Sequence, residues 1–224
     1  MNTNNAVVIL AKKPSKAVSK TRIAEEMTSD FAKDISIAIL EDLINKIDNP
    51  FEYDLLVATD SRDDLSWFNS KFNIDGFSIP SNIDRSLSEL IVYTFSFLFD
   101  NSYKKVLLIP MDMPFLDYDD LVSAFSYLDI INYVIGPENN GGIYMIGIRR
   151  SGFTKIIFKN VMWSTSRTFN SLVSNLCEEK FIIFEHRDDL NTLSDIEKCR
   201  TEIMNSCPKL NEFLRDEGYH FGNR

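Results

Sequence analysis

The sequence has few of the residues that build common catalytic or metal centres. Its three cysteines, Cys177, Cys199 and Cys207, form no C-x-x-C pair, and their number is odd, which argues against a disulfide framework or a zinc site. The two histidines, His186 and His220, lie in charged segments without a serine or cysteine motif, so no nucleophilic dyad is indicated. The chain also lacks G-x-G-x-x-G, P-loop Gly-Lys-Thr and H-E-x-x-H motifs.

Long apolar runs are missing as well, since none approaches the roughly 18–20 residues needed to span a bilayer. The first residues, Met-Asn-Thr-Asn-Asn, lack the basic-then-apolar order of a signal peptide. Together with reduced thiols, this predicts a cytoplasmic protein without a membrane partner. A net charge of -9 and a pI near 4.8 argue against general nucleic-acid binding. The oligomeric state is left open.

Positive charge is concentrated near the start of this acidic chain. No acidic residue occurs before position 25, and five cations fall within eleven positions: Lys12, Lys13, Lys16, Lys20 and Arg22. The preceding apolar run, 6–11, is typical of a buried strand. A cation-rich loop after such a strand suits a polyphosphate at the carboxyl edge of an α/β sheet. A solvated basic loop is the alternative.

Strand-like and helix-like segments alternate along the chain. Phe31, Ile35, Ile39, Leu43 and Ile47 repeat every four residues and predict a helix from a Ser29 cap to about Asp48. Further strands are predicted at 53–59, 77–79, 106–109, 133–136, 143–148 and 181–184, and further helices at 63–68, 86–99, 117–128, 166–176, 194–205 and from 208. The pattern predicts a three-layer α/β/α fold with a mostly parallel central sheet. We expect one domain over residues 1–206, then a C-terminal helix and tail over 207–224.

An aspartate follows the most apolar strand, in Pro110-Met-Asp112-Met-Pro114. A carboxylate at the end of a central strand can hold Mg²⁺ or Mn²⁺, which in turn grips substrate phosphates. The flanking prolines stiffen the turn and fix the direction of the carboxylate. A role as a turn or capping residue is the alternative, although Asp117 already suits the start of the next helix.

Five motifs in one order resemble a known family over roughly residues 6 to 200. They are Lys12-x-Pro14-x₅-Lys20-Thr21-Arg22, Pro110-Met-Asp112-Met-Pro114, Gly136-Pro137 with Gly141-Gly142 and Tyr144, Trp163-Ser-Thr-Ser-Arg167, and Asn191-Thr-x-x-Asp195. The chain thereby resembles the radical-SAM/selenodomain-associated transferases of glycosyltransferase-A-like (GT-A-like) fold. These are similar to the guanylyltransferases for 2-phospho-lactate and for molybdenum cofactor. The resemblance implies the nucleotide-diphospho-sugar transferase fold.

The resemblance also implies a metal-dependent nucleotidyltransferase that joins a nucleoside triphosphate (NTP) to a small phosphorylated acceptor and releases pyrophosphate. Lys20, Arg22 and Asp112 are the implied catalytic residues, and Asp112 with Asn191 would hold Mg²⁺ or Mn²⁺. The residues expected to bind substrate are Lys12, Pro14, Thr21, Asn140, Gly141, Gly142, Tyr144, Trp163, Ser164 and Thr165. The alternatives are a glycosyltransferase with a nucleotide-sugar donor, or a catalytically degenerate relative that binds a nucleotide without turnover.

The chain departs from the family pattern in four places. It has Ala17 for glycine, Pro110-Met111 before Asp112 for Gly-Ser, and Asn140 and Asn191 where the family commonly has aspartate. If the aspartate at position 140 is a base or metal ligand, asparagine cannot replace it. If it only binds a substrate hydroxyl, asparagine can.

Two other features have competing interpretations. Trp163 with Ser164 and Thr165 suits either a base or sugar contact or a core tryptophan followed by a helix cap. Glu185, Asp188 and Asp189 form an acidic cluster that we interpret as solvated surface; the alternative is that one of them reaches the metal.

Overall fold

The computed structural model describes residues 4–15, 20–176 and 178–219. Their contacts divide the chain into two compact units. The sheet unit comprises Met1–Lys12, Asn49–Pro110 and Tyr118–Arg187, and the helical unit comprises Lys13–Asp48, Met111–Asp117 and Asp188–Arg224. Of the predicted features, Lys16, Ala17, Cys177 and His220 lie outside the described residues. The domain boundary expected after residue 206 stays a prediction.

The sheet unit contains a mixed seven-stranded sheet. Its strands are β1 (Asn5–Leu10), β2 (Asp54–Thr59), β3 (Asp75–Ser78), β4 (Lys105–Pro110), β5 (Tyr133–Pro137), β6 (Ile143–Arg149) and β7 (Phe181–Ile183), in the order β3-β2-β1-β4-β6-β5-β7. Strand β6 runs antiparallel to β4 and β5, and all other neighbours are parallel. The antiparallel β5–β6 pair follows from its short connection, which has no room for a crossover helix.

The described residues form helices between most of the strands. In chain order they are α1 (Thr21–Glu26), α2 (Ser29–Ile47), α3 (Arg62–Phe72), α4 (Leu87–Asp100), α5 (Tyr118–Tyr127), α6 (Thr168–Asn175), α7 (Leu193–Lys198), α8 (Arg200–Ser206) and α9 (Pro208–Asp216). Helices flank a mostly parallel sheet, so the predicted α/β fold class is confirmed. None of the helices in the described ranges combines the length and apolar character that crossing a membrane requires.

The sheet is buried among apolar side chains of its own unit. Strands β1 and β4 contribute continuous buried runs, and Phe95, Phe99 and Phe158 pack beside them. This pattern is typical of a sheet covered on both faces. The continuous apolar segments of the sequence are therefore the central strands.

The helical unit has a second core beneath helix α2. The five residues predicted as its apolar stripe are all buried. Of these, Phe31, Ile35 and Ile39 share a hydrophobic cluster with residues of the C-terminal helices, including Ile203, Leu210 and Leu214. The N-cap of α2 is Thr28, whose hydroxyl accepts a hydrogen bond from the Phe31 amide at 3.1 Å, so the assignment of the cap to Ser29 was wrong by one residue.

Two other predictions about the helices were wrong. The helix expected over 194–205 is two helices that meet at Cys199, which closes α7 and opens α8. The segment expected to be a basic loop becomes helical at Thr21, immediately after Lys20. Cys199 and Cys207 are buried free thiols, as expected for reduced cysteines.

Candidate functional site

Lys20 occupies an unusual position at the start of α1. Its backbone is left-handed, with φ 35° and ψ 62°, a conformation that costs a non-glycine residue about 1–2 kcal/mol. Its side chain is only 6% exposed, and its Nζ lies 3.5 Å from Asp112 Oδ2. Backbone strain of this kind is concentrated at functional sites, where the surrounding structure enforces it.

Asp112 is held on a short, anchored loop two residues after β4. The residues that follow it, Met113 to Leu116, are buried, and the Leu116 amide donates to the Met113 carbonyl at 3.2 Å. The Asp112 side chain itself is 32% exposed. The loop therefore presents one accessible carboxylate on a fixed backbone.

A second carboxylate, Asp189, belongs to the same cluster. Asp189 is 9% exposed, and the side-chain amide of Asn191 donates a hydrogen bond to its Oδ2. Burial first, then the negative charges of Asp112 and Asp195, raise the pKa of Asp189. The interpretation of this acidic run as solvated surface was wrong for Asp189, although Glu185 is exposed.

The backbone next to Asp189 is fixed by Asp195. Its Oδ2 accepts hydrogen bonds from the Asn191 and Thr192 amides at 3.1 and 2.7 Å. Thr192 completes a capping box at the start of α7, since its hydroxyl accepts from the Asp195 amide. We call Lys20, Asp112, Asp189, Asn191 and Asp195 the Lys20 cluster; all five belong to the helical unit.

The cluster offers few ligands for a cation. Within the described ranges, no three His, Cys, Asp or Glu side chains are grouped so that they could hold a metal ion. Asp112 and Asp189 nevertheless provide two interacting carboxylates, and Mg²⁺ is often bound by one or two carboxylates together with substrate phosphates and water. A cation would also relieve the repulsion that, after burial, contributes to the raised pKa of Asp189.

The other residues predicted for the basic segment are divided between the units. In the helical unit, Pro14 is buried, whereas Thr21 and Arg22 are exposed on the first turn of α1. In the sheet unit, Lys12 Nζ lies 2.7 Å from Asp60 Oδ2, and Arg85 lies 3.5 Å from the other oxygen of Asp60. Lys12 is 60% exposed, so this ion pair is largely solvated.

The predicted glycine-rich segment forms a tight turn between β5 and β6, which we call the glycine turn (residues 137–142). The Gly142 amide donates to Asn140 Oδ1 at 2.8 Å, and the Glu138 amide donates to the Gly142 carbonyl at 3.0 Å. Gly141 has φ +88°, which favours glycine. Asn140 therefore stabilises the turn through its side-chain oxygen while remaining exposed.

Neighbouring backbone atoms require a glycine at position 141 of this turn. A Cβ at Gly141 would lie 2.2 Å from the Ser166 carbonyl oxygen, and the Phe169 amide donates to the Gly141 carbonyl at 3.0 Å. A Cβ at Gly142 would lie 2.1 Å from Glu138 Oε2, which is the end of a flexible side chain and can move aside. The glycines thus bring the turn against residues 166–169, and the space beside them is filled by the protein.

Tyr144 is completely buried. Its hydroxyl donates to the Glu185 carbonyl at 3.1 Å, and the guanidinium of Arg187 lies 5.8 Å from the ring centroid. Burial is the main cause that raises the pKa of Tyr144 to about 12. Arg187 is itself paired with Asp120 at 2.6 Å. Direct contact between Tyr144 and a substrate would require this packing to open.

The Trp163 segment combines core packing with an exposed turn. The Trp163 indole donates to Ser88 Oγ at 2.7 Å, and its ring centroid lies 6.4 Å from that of Phe158, so Trp163 is partly buried against the core. Ser164 is exposed with φ 58°, and the exposed Thr165 donates its hydroxyl to the Met162 carbonyl at 2.8 Å. Of this motif, Trp163 is partly buried, whereas Ser164, Thr165, Ser166 and Arg167 are exposed.

The sequence of this chain matches one protein family. A family model described as "Uncharacterized protein conserved in bacteria (DUF2064)" matches residues 44–165, which is more than half of the 224 residues. No curated protein gives a significant sequence match.

Several solved structures share the fold. A protein from Desulfovibrio desulfuricans G20, described with a proposed nucleotide-diphospho-sugar transferase activity, is 19% identical, with a TM-score of 0.87 over 97% of this chain and 96% of that chain. A cytidylyltransferase from Leptospira borgpetersenii is 15% identical, with a TM-score of 0.61 over 100% and 98%. A CMP:2-keto-3-deoxy-manno-octonic acid synthetase complexed with CTP is 11% identical, with a TM-score of 0.55 over 90% and 98%. At these identities the likeness establishes the nucleotide-diphospho-sugar transferase fold, as the sequence predicted.

Proposed function

The chain belongs to the DUF2064 family, and we propose that it is a nucleotidyltransferase that joins an NTP to a small phosphorylated acceptor and releases pyrophosphate. The reaction breaks the bond between the α-phosphorus and the bridging oxygen to the β-phosphate, and an acceptor phosphate oxygen forms the new bond. Such a transfer depends mainly on positioning and on neutralising charge.

The observation that carries the proposal is the arrangement of Lys20. An almost buried ammonium lies 3.5 Å from Asp112, whereas a tight ion pair has about 2.7–2.9 Å between nitrogen and oxygen. Lys20 is therefore placed beside a carboxylate without being fully engaged by it. Such a cation can donate to a phosphate oxygen while keeping its place in the cluster.

The carboxylates of the Lys20 cluster fit a divalent cation that arrives with the nucleotide. In the proposal, Asp112 and Asp189 contact Mg²⁺ or Mn²⁺, and Asn191 orients Asp189 through its amide. A ligand role for the Asn191 oxygen stays a prediction. The cation, when bound, supplies charge neutralisation at the phosphate oxygens.

Lys20 and Arg22 bind the departing pyrophosphate in this proposal. Arg22 lies on the exposed surface of α1, where its guanidinium can form two parallel hydrogen bonds to phosphate oxygens. Lys20 contributes one concentrated charge from a buried position. Lys12 is a weaker candidate, because Asp60 already pairs with it at 2.7 Å.

The glycine turn and the exposed Ser164 and Thr165 are the proposed contacts to the acceptor or nucleotide. Asn140 has an exposed side chain whose amide nitrogen can donate, while its oxygen accepts from the Gly142 amide. Gly141 and Gly142 support this contact by fixing the turn, since protein atoms fill the space beside them. We assign a supporting role to three residues that pack against other protein atoms: Tyr144, Trp163 and Pro14.

A glycosyltransferase with a nucleotide-sugar donor is the second candidate. The observation that favours it is the structural similarity, at a TM-score of 0.87, to a protein with a proposed nucleotide-diphospho-sugar transferase activity. A triphosphate remains our preference because the pyrophosphate leaving group gives both Lys20 and Arg22 a partner.

The test is a thermal-shift panel of the four NTPs and several nucleotide sugars, each with and without Mg²⁺ or Mn²⁺. A ligand at about 100 times its Kd stabilises the folded protein by about 2.7 kcal/mol, which such a scan detects. We expect an NTP with Mg²⁺ to give the largest shift, and Asp112→Asn to abolish its metal-dependent part. Asp117→Asn, an exposed aspartate in the same loop, is the control.

Product analysis separates the two candidates. Pyrophosphate release from an NTP supports nucleotidyl transfer, whereas turnover of a nucleotide sugar alone supports glycosyl transfer. An Asp112→Asn variant with unchanged metal dependence contradicts the assignment of the cluster.

A further inference from the structure

From the contacts of helix α2 we infer that Lys46 is a positioning residue for Asp112. Lys46 Nζ donates to the Pro114 carbonyl oxygen at 2.5 Å, and the contact is partly buried. Pro114 follows Asp112 by two residues, on the same short loop. The role in metal–nucleotide binding rests on the proposed function, whereas the coupling of Lys46 to the loop does not.

The Pro114 carbonyl has a second, weaker donor. The Cys207 thiol lies 3.7 Å from the same oxygen, and Lys46 Nζ lies 3.8 Å from Cys207 Sγ. Since Pro114 and Cys207 are both buried, solvent cannot readily replace the ammonium as a donor. A hydrogen bond from an ammonium to a buried carbonyl is stronger than one from a thiol, so Lys46 is the stronger of these two donors to the Pro114 carbonyl.

One turn earlier on α2, Asp42 makes a different connection. Its carboxylate is 1% exposed and accepts hydrogen bonds from the Lys209 and Leu210 amides at 3.0 and 2.8 Å, at the start of α9. Asp42 thus holds the C-terminal helix, whereas Lys46 holds the loop that carries Asp112. Substitutions of these two residues can therefore distinguish a loss of protein stability from a loss of Asp112 positioning.

The position of Asp112 matters because Lys20 lies only 3.5 Å from its carboxylate. Lys46 fixes the far side of the loop, so that the backbone of Asp112 cannot shift without breaking a charge-assisted hydrogen bond. Small displacements of a binding group are costly, and partners behind a metal ligand typically change metal affinity by about 10- to 100-fold when removed. Since Lys46 acts through the backbone, we expect the lower end of this range.

The experiment compares Lys46→Met, which keeps the apolar stem, with Lys46→Arg, which keeps a cationic donor, and with Asp42→Asn. The first measurement is hydrogen–deuterium exchange of the Asp112 and Met113 amides, which requires no activity. We expect Lys46→Met to accelerate their exchange about tenfold, a factor within the range of one hydrogen bond to a charged group. Asp42→Asn should accelerate exchange at Lys209 and Leu210 instead.

The second measurement is the Mg²⁺ concentration that gives half of the NTP-induced thermal shift. We expect it to rise about tenfold in Lys46→Met and to stay near the wild-type value in Lys46→Arg and Asp42→Asn. Unchanged exchange at Asp112 in a folded Lys46→Met variant overturns the coupling. An equal rise in Asp42→Asn shows that lost stability is the cause and also overturns it. A wild-type protein that binds no NTP refutes the proposed function, and exchange then decides the coupling alone.

Discussion

Replacing Lys20 by methionine tests the phosphate site most directly. Methionine keeps the apolar stem of a side chain that is 6% exposed, but it removes the charge beside Asp112. A charge-assisted hydrogen bond is worth about 1.5–3 kcal/mol, so the Kd for an NTP should rise about 10- to 150-fold. A nucleoside monophosphate lacks the β- and γ-phosphates, and its Kd should change by less than about threefold.

The same replacement should weaken NTP binding but strengthen the binding of a divalent cation. Asp112 and Asp189 lose the positive charge of Lys20, which acts on both of them, so their affinity for an added divalent cation should increase. In the absence of nucleotide, Mg²⁺ should therefore raise the melting temperature of Lys20→Met more than that of the wild-type protein. Loss of triphosphate binding together with a gain of Mg²⁺ binding is not expected from general unfolding.

Isothermal titration with NTP, NDP and NMP at one salt concentration is the appropriate assay, because exposed charges are screened. Lys33→Met is the control, since Lys33 on α2 is paired with the neighbouring Asp34 at 2.9 Å. Arg22→Met should lose less affinity than Lys20→Met, because Arg22 is exposed. Equal losses for NTP and NMP, or a loss no larger than that of Lys33→Met, would refute the assignment of Lys20 to the β- and γ-phosphates.

Two further substitutions test individual residues. Because the folded pKa of Asp189 is raised, the native state holds its proton to higher pH than the unfolded chain, and stability falls as pH rises above about 3.9. Asp189→Asn should therefore raise the melting temperature at pH 7 and raise it much less near pH 4. It should also remove the Mg²⁺ dependence of NTP binding. A change in melting temperature that is the same at both pH values contradicts the raised pKa of Asp189. Asn140→Asp should leave the melting temperature nearly unchanged, because a carboxylate oxygen can still accept from the Gly142 amide, and should lower turnover with phosphorylated acceptors. A large gain of turnover would instead show that the natural chain is a weakened catalyst.

The fold could be predicted because local patterns and burial agree through most of the chain. The continuous apolar run of β4 and the four-residue spacing along α2 each permit one reasonable interpretation. The break at Cys199 could not be predicted, because the sequence there carries no proline or glycine. The start of helix α1 at Thr21 could not be predicted either. The residue with left-handed backbone that precedes it is a lysine, whereas a glycine would have indicated this conformation.

The candidate site was predicted only in part. Asp112 could be recognised as a candidate because it follows a buried strand and lies between two prolines, Pro110 and Pro114. Asp189 was not, because it ends a run of charged residues that is typical of solvent-exposed segments, and its burial depends on residues distant in sequence. Only the structure shows that the predicted ligand Asn191 donates its amide to Asp189. Nothing in the sequence marks Lys46 as part of the site, since a single lysine on a helix is most often a surface residue.

The two asparagines that stand where the resembled family commonly has aspartate need not weaken the proposed catalysis. Asn140 accepts a hydrogen bond from the turn that it closes, a role in which asparagine and aspartate are equivalent. Asn191 donates to Asp189, and an aspartate could not make this contact while ionised. It would also add a further carboxylate beside Asp112, Asp189 and Asp195, where burial and like charges already raise the pKa of Asp189. The neutral residue at position 191 thus favours an ionised Asp189, which is the form that a cation requires.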